Sequence, residues 1–260
     1  MKATIEFQNG TLRLMVDGKA VPPDAYITYF TRNARYDDFA KLGYKLYSLP
    51  VMFSSKTFNE ISQAPCFGKP IFDSDTPDWD TLDADFHKIL DACPDALIFP
   101  RMNVSLNEAW ELANPDELCD TGATPIHRPC FSSDKWAQES MRLYGLAIDH
   151  IAASDYADHV IGYQFAAGNT EEWFSHDQKG SVGKRSREKF AEWSLEKGLK
   201  DTEENYHAFL SDIVATRICD LAAFTKQRAG RDLLVGTFYG YTFECADRTS
   251  CHHSLDRVLE

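Results

Sequence analysis

The chain holds 260 residues, with 40 acidic against 27 basic side chains and 43% hydrophobic content. Its formal net charge of -13 argues against a general polyanion binder, because neutralising phosphates takes clustered Lys and Arg. The 17 Phe, 11 Tyr and 5 Trp supply too much burial for a disordered chain, and no apolar run approaches the roughly 18 residues of a membrane helix.

The N-terminus MKATIEFQNG lacks the apolar stretch of a signal peptide, which reads as a cytoplasmic protein. The seven cysteines are scattered without CxxC spacing, a pattern of small buried hydrophobes in a reducing compartment. Neither nucleic acid nor membrane is expected as a partner. A homo-oligomer is left open for the full-length protein.

In the first twenty residues Ile5 and Phe7 alternate with polar residues up to Asn9-Gly10. Leu12, Leu14 and Val16 alternate up to Asp17-Gly18. Two turn dipeptides between alternating runs predict hairpins, giving a β-hairpin cap over residues 1–23 that ends at Pro22-Pro23. Residues 24–260 then repeat one grammar, an apolar run followed by a polar segment and a helix-period segment. The runs are AYITYF (25–30), YKLYSLPV (44–51), ALIFP (96–100), HVIGYQFA (159–166) and LLVGTFYGY (233–241).

Between the runs, Tyr36, Phe39, Ala40 and Leu42 predict a helix stopped near Gly43, and Leu82, Phe86, Ile89 and Leu90 predict a second. Ser132 or Ser133 is placed to cap a third, whose Trp136, Ser140, Leu143, Ala147, Ile148 and Ile151 share one face. A long helix carries Tyr206, Phe209, Leu210, Ile213, Val214, Ile218, Leu221 and Phe224 towards Gly230. The charged segment around Lys184, Arg185, Arg187, Glu188 and Lys189 reads as a solvated helix face.

Strands alternating with helices predict a parallel α/β fold. A doubly wound sheet that binds nucleotides needs a glycine-rich loop after its first strand, where this chain has TRNARYDD. A (β/α)8 TIM barrel instead puts its chemistry in the loops after the strand ends, and here those loops are long, polar and aromatic. The expected fold is therefore such a barrel. SLDRVLE reads as the helix after the fifth strand, so the barrel is expected to be truncated there, an N-terminal fragment that associates when isolated.

The stretch VIGYQFAAGNTEEWF (160–174) leads an apolar strand into Gly168, Asn169 and Thr170, then into Glu171, Glu172 and Trp173. A carboxylic acid beside a partly water-excluding aromatic surface is what a glycosidase needs, because burial keeps the acid protonated for the leaving group. Either glutamate satisfies that pattern. At the end of the third run, Arg101 and Asn103 alternate with Met102, so both are placed to face a barrel mouth. There Arg101 serves a sugar or carboxylate, or holds a structural ion pair. Tyr239 and Tyr241 lie at the end of the fifth run, with Glu244 beyond them, and Tyr239 is the favoured sugar contact of the two. Trp110 is a candidate stacking residue or a core residue, and His176 and Asp177 are loop residues near Trp173.

Cys245, Cys251, His252 and His253 do not make a four-ligand zinc spacing, so no metal and no other cofactor is expected. A divalent metal held by Glu171 and Glu172 is a weaker third reading. No Gly-x-Ser-x-Gly elbow is present.

The segments GKAVPPDAYITYF, RYDDFAKLGYKLYSLPVMF and above all VIGYQFAAGNTEEWF resemble the N-terminal part of beta-galactosidase-like glycoside hydrolases, of the clan A superfamily of (β/α)8 barrels. The resemblance implies an acid/base glutamate after the fourth strand and a nucleophilic glutamate after the seventh. Relatives read G-x-T-x-E-W at the fourth strand, which carries the acid/base role onto Glu172, with Glu171 as the alternate. The clan has Asn directly before that glutamate, whereas this chain has Asn169 three positions earlier. The expected function is thus a retaining glycosidase acting on a small glycoside or oligosaccharide, its nucleophile lying beyond residue 260. Expected substrate contacts are Arg101, Asn103, Asn169, Glu171, Trp173 and Tyr239. The alternative is a non-catalytic carbohydrate-binding barrel on the same sugar platform.

Overall fold

The computed structural model describes residues 1–56, 64–119, 128–168, 170–175, 183–246 and 250–259. Among them the first three strands, β1 (Ala3–Gln8), β2 (Thr11–Val16) and β3 (Lys19–Val21), form an antiparallel sheet. Its two turns fall at the expected dipeptides. Asn9 and Gly10 have φ of 50° and 80°, and Asp17 and Gly18 have φ of 47° and 75°, the left-handed pairs that two-residue hairpins require.

The five apolar runs become β4 (Ala25–Ile27), β5 (Leu46–Met52), β6 (Leu97–Asn103), β7 (Gly162–Ala166) and β8 (Leu234–Thr237). They make one parallel sheet in the order β4-β5-β6-β7-β8. Neighbours in space are neighbours in sequence, so the sheet has no point at which strand order reverses. That order distinguishes it from a doubly wound sheet and suits one that curls towards closure.

Alternation along the strands sorts the two faces. On β5, Tyr47, Leu49 and Val51 point to the helical layer and join its core, together with Ile98 and Met102 of β6. That layer includes α1 (Tyr36–Lys41), α2 (Trp79–Ala92), α4 (Asp134–Ala153) and α6 (Glu203–Ala229), with the short α3 (Glu108–Ala113) between α2 and α4. Ser133 caps α4 by accepting from Trp136 N at 2.9 Å, and Asp78 caps α2 by accepting from Thr81 N at 3.1 Å. The helix α5 (Lys184–Lys197) carries the charged segment, whose Arg185 pairs with Glu117 at 2.8 Å.

On the other face of β6, Leu97, Phe99, Arg101 and Asn103 follow one another from the start of the strand to its end. Phe99 lies against β7 and β8 at two glycines. A Cβ on Gly162 would come within 2.7 Å of the Phe99 ring, and one on Gly236 within 3.3 Å. Below it, Leu46, Leu97 and Ile161 meet Ala3, Leu14 and Val16 of the hairpin sheet in a second apolar cluster. The hairpins therefore cover the end of the parallel sheet where its strands start. Ala3 N donates to Asp232 O at 2.9 Å, and Lys2 pairs with Asp232 at 2.6 Å, which ties this cover to the entry of β8. The opposite end, where the strands finish, is left for the polar residues.

No helix among the described residues is long and apolar enough to cross a membrane.

Candidate active site

The end of β6 and the loops after β4, β5, β7 and β8 converge at the strand C-termini, the end at which parallel α/β folds place their chemistry. Arg101 sits at the centre. Its guanidinium lies between the rings of Tyr29 and Phe238, 5.4 and 5.3 Å from their centroids, and Nη1 donates to the Tyr29 hydroxyl at 3.2 Å. Its Nε stands 3.0 Å from Glu171 Oε2, and Nη2 donates to the Glu171 backbone carbonyl at 3.4 Å. Asn103 Nδ2 donates to Glu171 Oε1 at 2.6 Å. One arginine thus ties together three strand ends, with Glu171 as its counter-ion.

Glu171 is 2% exposed, and its burial pushes the carboxyl above the ordinary glutamate range; Arg101 and Asn103 pull the other way without overcoming it. Glu172, next in the chain, is half-buried and points elsewhere. Its Oε1 accepts from the Tyr241 hydroxyl at 3.2 Å, its Oε2 accepts from Thr170 Oγ1, and its backbone carbonyl faces His252 Nε2 at 2.7 Å. The two adjacent glutamates are sorted by backbone conformation. Thr170, Glu171 and Trp173 have φ of 56°, 61° and 62°, left-handed values that cost non-glycine residues of order 1–3 kcal/mol each.

Packing holds this turn in place. Trp173 N donates to Ala167 O at 2.8 Å, and its indole Nε1 donates to Thr237 Oγ1 at 2.7 Å. Gly168 opens the turn at φ 78°, and a Cβ there would stand 2.9 Å from Phe174 O and 3.0 Å from the Phe131 ring. Gly168→Ala is expected to cost about 2–3 kcal/mol in urea denaturation, since both the conformation and the space demand glycine. A change below half a kcal/mol would contradict this account of the turn.

Several of the residues expected to contact substrate are buried in the protein. Arg101, Asn103, Glu171, Trp173 and Tyr239 are 2%, 4%, 2%, 0% and 7% exposed; Asn103, Trp173 and Tyr239 are hydrogen-bonded within the protein, and Arg101 and Glu171 form a buried ion pair. Trp173 packs at 5.4 Å from Phe131 and 6.1 Å from Phe165, with no ring face left for a ligand. The Tyr239 hydroxyl accepts from Ser254 N at 3.1 Å. Asn169, His176 and Asp177 lie outside the described residues, as does the side chain of Glu244. Trp110 lines a cavity of about 300 Å³ with Phe72, Leu106 and Leu143, which none of Arg101, Glu171 and Glu172 lines.

The structure brings forward other side chains. β4 ends at Ile27, so Tyr29 and Phe30 belong to the loop at the mouth rather than to the strand. Phe67 packs on them at 5.5 and 4.6 Å, making an aromatic group beside Arg101. The signal available was two aromatics at the end of the first apolar run. Tyr241 rather than Tyr239 reaches Glu172, because β8 ends at Thr237 and Gly240 at φ 123° turns the chain between them.

His252, whose spacing from Cys245, Cys251 and His253 does not suit a zinc site, is fully buried under Glu172. Among the described residues no group of three or more His, Cys, Asp or Glu is arranged to hold a metal ion. Burial pushes the His252 pKa down from 6.5 to about 4. A lowered histidine pKa means the neutral ring is preferred on folding. Its contribution is complete above about pH 6.5 and is lost as the pH falls through about 4, a span corresponding to about 3 kcal/mol. Urea denaturation at pH 7 and pH 4 is expected to show this loss, and His252→Gln to flatten it. Equal slopes in the two proteins would remove His252 from the acid response.

No protein-family model matches the sequence, and no curated protein matches it. Solved structures do. A beta-galactosidase from the psychrophilic Marinomonas ef1 superposes with a TM-score of 0.55 over 82% of this chain and 36% of its own, at 15% identity. The beta-galactosidase of the Antarctic haloarchaeon Halorubrum lacusprofundi gives 0.56 over 82% of this chain and 35% of its own, also at 15% identity. The catalytic domain of a beta-amylase from Paenibacillus polymyxa gives 0.57 over 84% of this chain and 67% of its own, at 9% identity. The chain spans about a third of the length of these beta-galactosidases. The likeness to beta-galactosidases expected from the sequence is thereby found in the fold.

Proposed function

We propose that this chain carries the acid/base half of a beta-galactosidase-like glycosidase. Its parallel sheet is read as the first five strands of an eight-stranded (β/α) barrel in a cytoplasmic enzyme. The observation that carries the proposal is the division of labour after β7, the fourth strand of that sheet. Glu171 is locked beneath the surface by Arg101 and Asn103, while Glu172 is half-buried at the mouth with its carboxylate held by Tyr241 and Thr170.

In this reading Glu172 protonates the glycosidic oxygen and later takes the proton from water. Tyr29, Phe30 and Phe67 supply apolar faces for a sugar ring, and the Tyr241 hydroxyl orients the acid. A glutamate after the seventh strand, beyond residue 260, would attack the anomeric carbon, at about 5–5.5 Å between the two carboxyls for retention. The fold likeness to beta-galactosidases supports this assignment without naming the sugar.

The test is hydrolysis of aryl beta-galactosides by a longer protein that contains residues 1–260, with the anomer of the first product read by proton NMR. Retention of the beta anomer supports the reading, and inversion removes the covalent step. Sugar binding in calorimetry with no hydrolysis selects the non-catalytic binding protein instead.

A further inference from the structure

The Glu172 carbonyl oxygen can only accept a hydrogen bond, so the ring nitrogen facing it at 2.7 Å must carry the proton. His252 is therefore the Nε2–H tautomer. Its ring is wedged against Phe174 and Tyr239, with centroids 4.8 and 5.0 Å away. His252 N donates to Ser250 Oγ at 3.2 Å, and Ser254 N donates to the Tyr239 hydroxyl at 3.1 Å, so the histidine's own loop is held on both sides. Cys251, directly before it, takes a left-handed φ of 67°. The segment it meets is itself strained, with Thr170, Glu171 and Trp173 all left-handed around Glu172. Two costly backbone turns, from the loops after β7 and β8, thus meet at this hydrogen bond.

We propose that His252 is a positioning residue for Glu172, its Nε2–H gripping the Glu172 carbonyl and thereby setting the direction of the carboxylate. The role rests on the acid/base reading of Glu172. A peptide held at its carbonyl cannot rotate, and rotation here would swing the side chain off the Tyr241 hydroxyl. Burial keeps the ring neutral, with its pKa near 4, so the same tautomer persists through the neutral range. A plain space-filler would need the ring's shape but not its N–H, and this separates the two roles.

The test uses His252→Phe, which keeps the packing and loses the donor, and His252→Gln, whose amide restores one. In the longer protein, His252→Phe is expected to lower kcat about 10- to 100-fold on aryl galactosides with poor leaving groups, with KM nearly unchanged. In kcat/KM, which reads the first step alone, substrates with activated leaving groups, which need little proton donation, are expected to lose far less, and His252→Gln to recover most of the rate. Equal loss on both substrate types, or no recovery in His252→Gln, overturns the role. Independently of activity, the long-range proton–nitrogen spectrum of the histidine rings in residues 1–260 is expected to show His252 as Nε2–H at pH 7. An Nδ1–H or charged ring there overturns the proposal outright. If the spectrum shows the expected tautomer and the wild type hydrolyses nothing, the acid/base reading of Glu172 has failed, and the positioning role fails with it.

Discussion

Arg101→Met is expected to destabilise the protein by about 3–5 kcal/mol at neutral pH, because it leaves the Glu171 carboxylate buried without its counter-ion. Arg101 also loses its place between Tyr29 and Phe238, which adds to the cost. The double variant Arg101→Met/Glu171→Leu is expected to recover most of the loss, since replacing both charges by apolar groups removes the uncompensated one. Acidification should help the single variant more than the native protein. Burial already raises the Glu171 pKa, so its contribution is present below the ordinary glutamate range and is lost as the pH rises through its folded value. Without Arg101 that value rises further. Urea denaturation across pH 4 to 8 reads all three effects. Equal stability of the single and double variants would show that the buried pair is not what holds the three strand ends.

Glu172→Gln in a longer, active protein is expected to lower kcat by about 10²- to 10⁴-fold on substrates with poor leaving groups. Activated aryl galactosides should be spared in the first step, where the leaving group departs without a proton. Stability should change little, because Glu172 is half-buried and its neighbours Tyr241 and Thr170 can bond an amide as well. Glu171→Gln is the contrast: its main effect is expected in denaturation, through Arg101. If Glu171→Gln erased acid catalysis and Glu172→Gln did not, the roles of the two glutamates would be exchanged.

That exchange was not decidable from the residues alone. Glu171 and Glu172 are the same residue type one position apart, and the EEW pattern suits either. Separating them takes the left-handed turn from Gly168 to Trp173, which sends one carboxylate under Arg101 and the other to the mouth. Trp173 shows the same limit. An aromatic beside a carboxylate at a strand end reads as a sugar platform, but its indole N–H finds Thr237 on β8, and this draws the ring into the core. His252 lay eighty positions from Glu172 in sequence, with cysteines and another histidine around it, and nothing local marks it as the partner of a backbone carbonyl.

What the sequence determined by itself was everything carried by short-range periodicity. The hairpin turns at Asn9-Gly10 and Asp17-Gly18, the five apolar runs, a helix cap at Ser132 or Ser133 and the helix stop near Gly43 are local, because each depends on residues within a turn or two of one another. The candidate region after the fourth run followed from the same grammar. The tertiary structure decided which residues of that region are buried against protein and which are partly exposed. The strand order, the hairpin cover at the foot of the sheet, the sandwiching of Arg101 and the burial of Trp173 and Tyr239 all arise from contacts between loops far apart in sequence. A side chain's neighbours across a sheet are set by where strands end and how their loops turn. Those endpoints are the least local feature of the chain.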